Sequence, residues 1–190
     1  IIYSIAWWLL RKGYTRSHSE LGSQAFLRQW YFVSRHGRVG HCQAVKALMK
    51  NYIIVTGGAG FVGSNLIQCL ISRTKFNIIS VDNYSSGFVR NHIKSPRVKY
   101  LKGNTENVNI ILSNYKKKIH SLFHFGEFAR IFQSFKHFSE CFDSNSIGSK
   151  EVFKFCLDNK IKLIYSATSA SLGNKGKDKN LSPYAFTKSK

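Results

Sequence analysis

The sequence contains no run of 18 or so apolar residues, so no stretch of it reads as a bilayer-spanning helix. It is also short of acids, with nine Asp+Glu against 29 Lys+Arg, a formal net charge of +20. Such an excess points to nucleic acid or an acidic membrane only where the cations cluster, because affinity then comes from releasing counterions along a phosphate array. The four cysteines, Cys42, Cys69, Cys141 and Cys156, include no CxxC pair, so neither a zinc site nor a disulfide framework is indicated and no metal is expected. They read as small buried apolar side chains. The opening, IIYSIAWWLLRKGY, carries its charge after its apolar stretch, unlike a secretory signal, and a cytoplasmic protein is expected. What is present is apolar material: 43% hydrophobic and 14% aromatic residues are too much for a disordered chain.

Composition breaks just before Met49. Residues 1–48 hold all three tryptophans, five Arg, two Lys and one acid, Glu20, whereas residues 49–190 hold no Trp, four Arg and eighteen Lys. No period of 3.6 or 2 runs through 11–48. One reading is a basic nucleic-acid-binding arm, since Arg28, Arg35 and Arg38 are interleaved with Trp30, Tyr31 and Phe32. The other starts from Thr15-Arg16-Ser17-His18-Ser19-Glu20-Leu21-Gly22-Ser23, which translates ACC CGA TCC CAT TCC GAA CTC GGA AGT, a string like the centre of a bacterial 5S ribosomal RNA gene. On that reading, residues 1–48 are read-through from an RNA gene upstream of a true start at Met49. They are then set aside from fold reasoning.

After Met49 the pattern sharpens. Asn51–Thr56 is a β-rich run ending in Gly57-Gly58-Ala59-Gly60-Phe61-Val62-Gly63, and Ser64–Ile71 then has helical spacing. Strand, tight turn and helix follow in that order. In GxxGxxG, Gly57 lets the chain turn, Gly60 permits close backbone approach and Gly63 lets the helix pack, so a diphosphate can sit on the amides of the helix N-terminus. A second apolar run, Ile78–Val81, ends in Asp82, nineteen residues past Gly63, where a carboxylate can accept from the ribose hydroxyls of an adenosine. That spacing implies a dinucleotide, and Asp82 would repel a 2′-phosphate, favouring NAD over NADP, although Arg90 lies nearby.

Three more strand candidates, Val98–Leu101, Ser121–Phe125 and Lys162–Tyr165, alternate with helical or loop segments and predict a doubly wound parallel α/β sheet. Phe138–Lys160 reads as a long helix with Phe142, Val152, Phe153, Cys156 and Leu157 on the face toward the sheet. Lys116–Lys118 reads as a solvated helix end, and the remaining lysines are scattered singly, as on a diffuse basic surface. In Ser182-Pro183-Tyr184-Ala185-Phe186-Thr187-Lys188, the serine can cap a helix whose first residue is the proline. Tyr184 and Lys188 then fall one turn apart, and an ammonium there favours the phenolate and makes the phenol usable as an acid/base. Tyr-x-x-x-Lys alone is a common surface pattern; the glycine motif upstream gives it weight.

Taken together, residues 49–190 resemble the N-terminal part of the NAD-dependent epimerase/dehydratase family of extended short-chain dehydrogenase/reductases, of the UDP-glucose 4-epimerase type. The resemblance rests on TGGAGFVG at 56–63, Asp82-Asn83-Tyr84-Ser85-Ser86-Gly87, Phe123-His124-Phe125-Gly126, Asn145 with Ile147-Gly148, Tyr165–Gly173, and the Tyr184/Lys188 pair. It implies NAD held by Gly57, Gly60, Phe61, Val62, Gly63, Asp82, Asn83, Asn104, Phe125, Gly126 and Lys188. It also implies a catalytic set of Thr168, which hydrogen-bonds the reacting hydroxyl, with Tyr184 and Lys188. The implied reaction is oxidation and re-reduction of a nucleotide-sugar hydroxyl, in a protein that is a homodimer when full length. A truncated chain lacking its substrate half is expected, binding NAD weakly and turning nothing over.

Three departures from the family's pattern matter. Gly103-Asn104 stands for the usual Gly-Asp, though the Asn104 side-chain oxygen can still accept from adenine. Glu127 occupies a position where a small residue is common, and its charge near a pyrophosphate would cost affinity unless Arg130, three residues on, pairs with it. Members that eliminate water carry Thr-Asp-Glu where this chain has Thr168-Ser169-Ala170, which disfavours a dehydratase. The rivals are a non-catalytic nucleotide-binding member of the same fold and a nucleic-acid binder driven by charge.

Overall fold

β1 (Tyr52–Thr56) and β2 (Asn77–Asp82) are buried almost without interruption, the pattern of strands covered on both faces, and they pair in parallel from Tyr52 opposite Asn77 to Thr56 opposite Val81. The computed structural model describes residues 50–171 and 181–189. The reading of 1–48 as an extension and the Leu172-Gly173 end of the fifth-strand motif lie outside the described residues. β3 (Val98–Lys102), β4 (Ile119–His124) and β5 (Lys162–Tyr165) complete an all-parallel sheet of order β3-β2-β1-β4-β5. The expected doubly wound sheet is therefore present, with its reversal of strand order between β1 and β4. β3 and β5, at the two edges, are correspondingly the less buried strands.

α1 (Phe61–Arg73) crosses from β1 to β2 and sets Ile67 against Ile53, Val55 and Ile78 on one face of the sheet. Its C-terminal carbonyls are gathered by Arg97, whose guanidinium donates to Ile71 O, to Thr74 O at 2.7 Å and to Phe76 O at 3.3 Å. A cation there meets the negative end of the helix dipole. On the opposite face, Ile54, Ile79, Val81 and Leu122 pack on Val108 of α2 (Val108–Ile111), on Leu112, and on Val152, Phe155 and Cys156 of α5 (Ser149–Asp158). Lys116–Lys118 ends a 3₁₀ segment, not an α-helix, before β4.

The long helix expected over 138–160 is observed as α4 (Phe138–Phe142), a six-residue π-turn at Asp143–Gly148, and α5, in continuous succession. One of its predicted core residues is misplaced. Leu157 is 79% exposed, and Phe155, at 2%, takes the position in the core. Positions 152, 155 and 156 share a stripe at i, i+3 and i+4, while 157 lies well round the helix from it. Phe155→Ala is expected to cost about 3–5 kcal/mol by leaving a cavity. Leu157→Ala is expected to cost about 0.5 kcal/mol or less. Urea unfolding of the two variants checks the assignment.

Candidate active site

Because every strand runs the same way, the ends of β1, β2, β3 and β4 and the segment after β5 all open on one edge of the sheet, and the predicted site residues are distributed along it. Gly57 sits at φ +72°, a conformation that side chains rarely adopt. A Cβ there would also meet the carbonyl carbon and oxygen of Phe125 at 2.7 Å. Turn and close approach are thus needed at the same residue. Gly63 is required for packing, since its Cβ would lie 2.2 Å from Gly57 O; the contact is with the loop that precedes the helix. Gly58, which the motif reading left without a role, rests on β2: a Cβ would strike Ser80 Oγ at 2.1 Å. Gly60 differs from these. Its Cβ would meet only Gly57 O, at 3.3 Å, so the space beside it opens outward.

α1 begins immediately after Gly60 with no side-chain cap and no acid in its first turn. Phe61 and Val62 present their backbone there with exposed side chains. An uncapped, acid-free helix start beside an open glycine is a cradle for an anion, held by unpaired amides and the positive end of the dipole. Asp82 closes the β2 end. Its Oδ2 accepts from Ala59 N and its Oδ1 from Tyr84 N, both at 2.8 Å, so the carboxylate braces the glycine loop. A carboxylate has about four acceptor sites, so capacity remains for ribose hydroxyls. Ala59 O is held in turn by Asn91 Nδ2 at 2.7 Å and Phe88 N at 3.1 Å. Asn83 is exposed and accepts from Ser85 N at 3.0 Å, and Asn104 lies exposed just past β3.

At the end of β4, the amides of Phe125 and Gly126 donate to Thr56 Oγ1 at 3.2 and 3.0 Å. With both lone pairs occupied, the Thr56 hydroxyl donates to His124 Nδ1 at 2.6 Å. His124 Nε2 then donates to Ser149 Oγ at 3.0 Å, and Ser149 Oγ donates to Glu127 Oε1 at 2.6 Å. The tautomer follows from this donor order. Tyr165 OH also donates to Glu127 Oε1, at 3.2 Å. The Glu127–Arg130 pair that would have offset this charge is not formed. Glu127 is ion-paired with Lys188 instead, both side chains only 4% exposed, and Arg130 is exposed. Residues 127 and 130 share no helix, since Arg130 is the extended residue before α3 (Ile131–Lys136), so the i,i+3 rule does not apply.

Ser182 caps α6 (Pro183–Lys188) by accepting from Ala185 N at 3.0 Å, with Pro183 in the first turn, as the sequence predicted. Lys188 is buried, and besides Glu127 its Nζ donates to Ser166 O at 2.6 Å and lies 4.6 Å from the Tyr165 ring centroid. Thr168, half-buried, accepts from Ala170 N at 3.3 Å, and Tyr184 N donates to Ser134 Oγ at 3.2 Å. Asn145 ties the parts together: its Oδ1 accepts from Phe128 N at 2.6 Å, and its Nδ2 donates to Phe128 O at 3.1 Å and to Thr187 Oγ1 at 3.2 Å. Gly148 packs against the segment after β3, where a Cβ would meet Thr105 Oγ1 at 2.2 Å.

The electrostatics follow from burial. For Glu127, burial opposes the charged form, but the Lys188 charge and the hydrogen bonds from Lys188 and Ser149 outweigh it and hold the carboxyl below its ordinary range. Burial, and then the Glu127 charge, push the Tyr165 phenol far above its ordinary value, so it stays a donor. A depressed folded-state pKa contributes stability that is complete above the unfolded value, about pH 4.3, and is lost as pH falls through the folded value. Glu127→Gln is therefore expected to flatten the acid limb of the stability–pH curve below about pH 4.3. Urea midpoints across that range measure it.

Among the described residues no helix is long and apolar enough to cross a membrane, and no group of three His, Cys, Asp or Glu side chains could hold a metal. Comparison with known proteins agrees with the geometry. A UDP-glucose 4-epimerase from Thermotoga maritima, solved with UDP-glucose, is 27% identical with a TM-score of 0.64, over 73% of this chain and 48% of that one. A UDP-N-acetylglucosamine 4-epimerase from Methanobrevibacter ruminantium M1, in complex with UDP-N-acetylmuramic acid, is 28% identical with a TM-score of 0.64, over 74% and 48%. The Bordetella bronchiseptica enzyme WbmG, in complex with NAD, shares the fold at 20% identity and a TM-score of 0.63, over 72% and 46%. The chain spans about half the length of these structures. Residues 53–189 match the model of the NAD dependent epimerase/dehydratase family, and with that match over most of its length the chain belongs to that family.

Proposed function

We propose that this chain binds NAD on the loop 57–63 and contributes the acid/base machinery of a nucleotide-sugar epimerase. The observation that carries the reading is the pairing on one sheet edge of an uncapped helix start beside an open glycine with a buried lysine four residues from a tyrosine. Gly57, Gly60, Phe61, Val62 and Gly63 would hold the pyrophosphate, Asp82 and Asn83 the adenosine ribose, Asn104 the adenine, and Phe125, Gly126 and Lys188 the nicotinamide half. Asp82 disfavours a 2′-phosphate, so NAD is preferred over NADP. The bound dinucleotide supplies reversible hydride storage.

The rest is done by the chain's own side chains. Tyr184 takes the proton of the sugar hydroxyl at its phenolic oxygen and returns it, and Thr168 Oγ1 orients that hydroxyl. Thr168-Ser169-Ala170 offers no carboxylates beside the threonine to move protons on adjacent carbons, which favours epimerisation over elimination of water. The similarity to two UDP-sugar epimerases above 25% identity supports a UDP-sugar substrate.

Gly60 separates binding from folding, since it tolerates a methyl internally but has open space outside. Gly60→Ala is expected to leave thermal unfolding nearly unchanged and to weaken NAD⁺ binding about tenfold or more in calorimetric titration. Equal NAD⁺ affinity in both proteins would remove the cradle from the mechanism. Where turnover of UDP-glucose is measurable, Tyr184→Phe is expected to lower kcat by about 10²–10⁴-fold while NAD⁺ affinity stays within about twofold.

A further inference from the structure

Tyr84 holds a backbone conformation that a bulky side chain rarely adopts, φ +63°, two residues after the carboxylate assigned to the adenosine ribose. Such a conformation persists only where its surroundings hold it. Here both the backbone and the side chain are held. The Tyr84 amide donates to Asp82 Oδ1 at 2.8 Å, and the phenolic oxygen is hydrogen-bonded to His92 Nε2 at 3.0 Å. His92 lies flat on Tyr100, with ring centroids 3.7 Å apart and an angle of 5° between the planes. Tyr100 belongs to β3, opposite Ser80 of β2, and its hydroxyl accepts from Ile93 N at 2.8 Å. The sheet itself is therefore the anchor of Tyr84.

Between Tyr84 and His92 the chain closes over the glycine loop. Phe88 N and Asn91 Nδ2 both donate to Ala59 O, at 3.1 and 2.7 Å. Gly87 packs so closely that a Cβ would meet Ala59 Cβ at 2.9 Å and Asp82 Oδ1 at 3.1 Å. On the other side, Ala59 N donates to Asp82 Oδ2 at 2.8 Å. Each carboxylate oxygen is thus gripped by a different segment, Oδ2 by the glycine loop and Oδ1 by Tyr84. Two donors on two oxygens set the rotation of a carboxylate plane, whereas one donor leaves it free to turn. The acceptor sites left for a ribose take their direction from that plane.

We propose that Tyr84 is a positioning residue for ribose recognition: its left-handed backbone, held by His92 stacked on Tyr100, fixes the Asp82 carboxylate in the orientation that accepts the adenosine 2′-hydroxyl. The inference rests on the assignment of Asp82 to the ribose given above. Without the phenolic anchor, the backbone at Tyr84 relaxes out of the left-handed region and its amide leaves Oδ1. Ala59 keeps its bonds from Phe88 and Asn91, so the glycine loop keeps its support. The loss is confined to a contact that a 2′-deoxy nucleotide never makes.

Calorimetric titration with ADP and with 2′-deoxyADP reads that contact directly, since the two probes share base and pyrophosphate and differ by one hydroxyl. The unsubstituted chain is expected to bind ADP about tenfold or more tightly than 2′-deoxyADP. In Tyr84→Phe the ratio is expected to fall to about threefold or less, through loss of ADP affinity, with 2′-deoxyADP affinity held within about twofold. His92→Phe keeps an aromatic ring for Tyr100 but offers Tyr84 no nitrogen. It is expected to give the same pattern, and carries the test should Tyr84→Phe not fold.

A ratio in the folded variants equal to that of the unsubstituted chain, whatever their thermal stability, would make the cluster merely structural and overturn the proposal alone. Equal binding of the two probes by the unsubstituted chain would overturn the ribose assignment and the proposal with it. Binding of neither would overturn the cofactor reading as well.

Discussion

The site depends on one close approach. Gly57, in a left-handed conformation, lets the chain leaving β1 lie against the backbone of Phe125 and Gly126, where β4 ends. The two strands at the reversal of sheet order are thereby held together at their tips as well as along their ladders. From that contact the start of α1 receives its direction. Gly63 against Gly57 O and Gly58 over Ser80 then fill the space beneath, leaving Gly60 as the position that faces outward. Open α/β sheets place ligands where strand order reverses, because the loops there diverge to opposite faces and leave a crevice.

A second constraint runs at right angles to the first. Thr56, His124, Ser149 and Glu127 form a chain of hydrogen bonds from the end of β1, through the buried tip of β4, to the α5 side and on to Lys188. Each hydroxyl or ring nitrogen has a partner that fixes its donor role, the condition under which a buried polar network adds rigidity and avoids unpaired cost. Asn145 adds the mechanical link, bonding the segment after β4 on one side and α6 on the other. The lysine's place is therefore set by residues on β1, β4, β5 and the long helix together.

The parts of the fold governed by local rules were legible in the sequence. β1 and β2 read as strands because both faces are covered and their apolar runs are unbroken. α6 read as a capped helix because Ser182 and Pro183 obey rules that need no tertiary context. TGGAGFVG likewise marked the glycine loop, whereas the bracing of that loop by Asp82 through Ala59 N follows from the fold alone. What sequence spacing did not give was partnership at long range. Glu127 and Lys188 lie 61 residues apart, and only the fold brings them into contact, so spacing could offer no partner beyond a near neighbour such as Arg130. Gly58 was invisible for the same reason, since its need comes from Ser80 on a different strand. Leu157 was misplaced because, within α5, a stripe through 152, 153, 156 and 157 and one through 152, 155 and 156 are both helical, and only the packing against the sheet selects the second.

The period of the long helix is interrupted at Asp143–Gly148, where the backbone winds wider than an α-helix. The widening changes the azimuth of one half of the long helix relative to the other. Cys141, upstream, and Asn145, within the turn, face α6; downstream, Val152, Phe155 and Cys156 face the sheet. One continuous rod thus serves two neighbours that do not share a side. Deleting a single residue inside that wide turn would rotate the upstream half by about 100° and uncouple α6 from its anchor, while the sheet kept its cover. The irregular winding works as a phase shifter, and the placement of α6, with Tyr184 and Lys188 on it, is inherited from it.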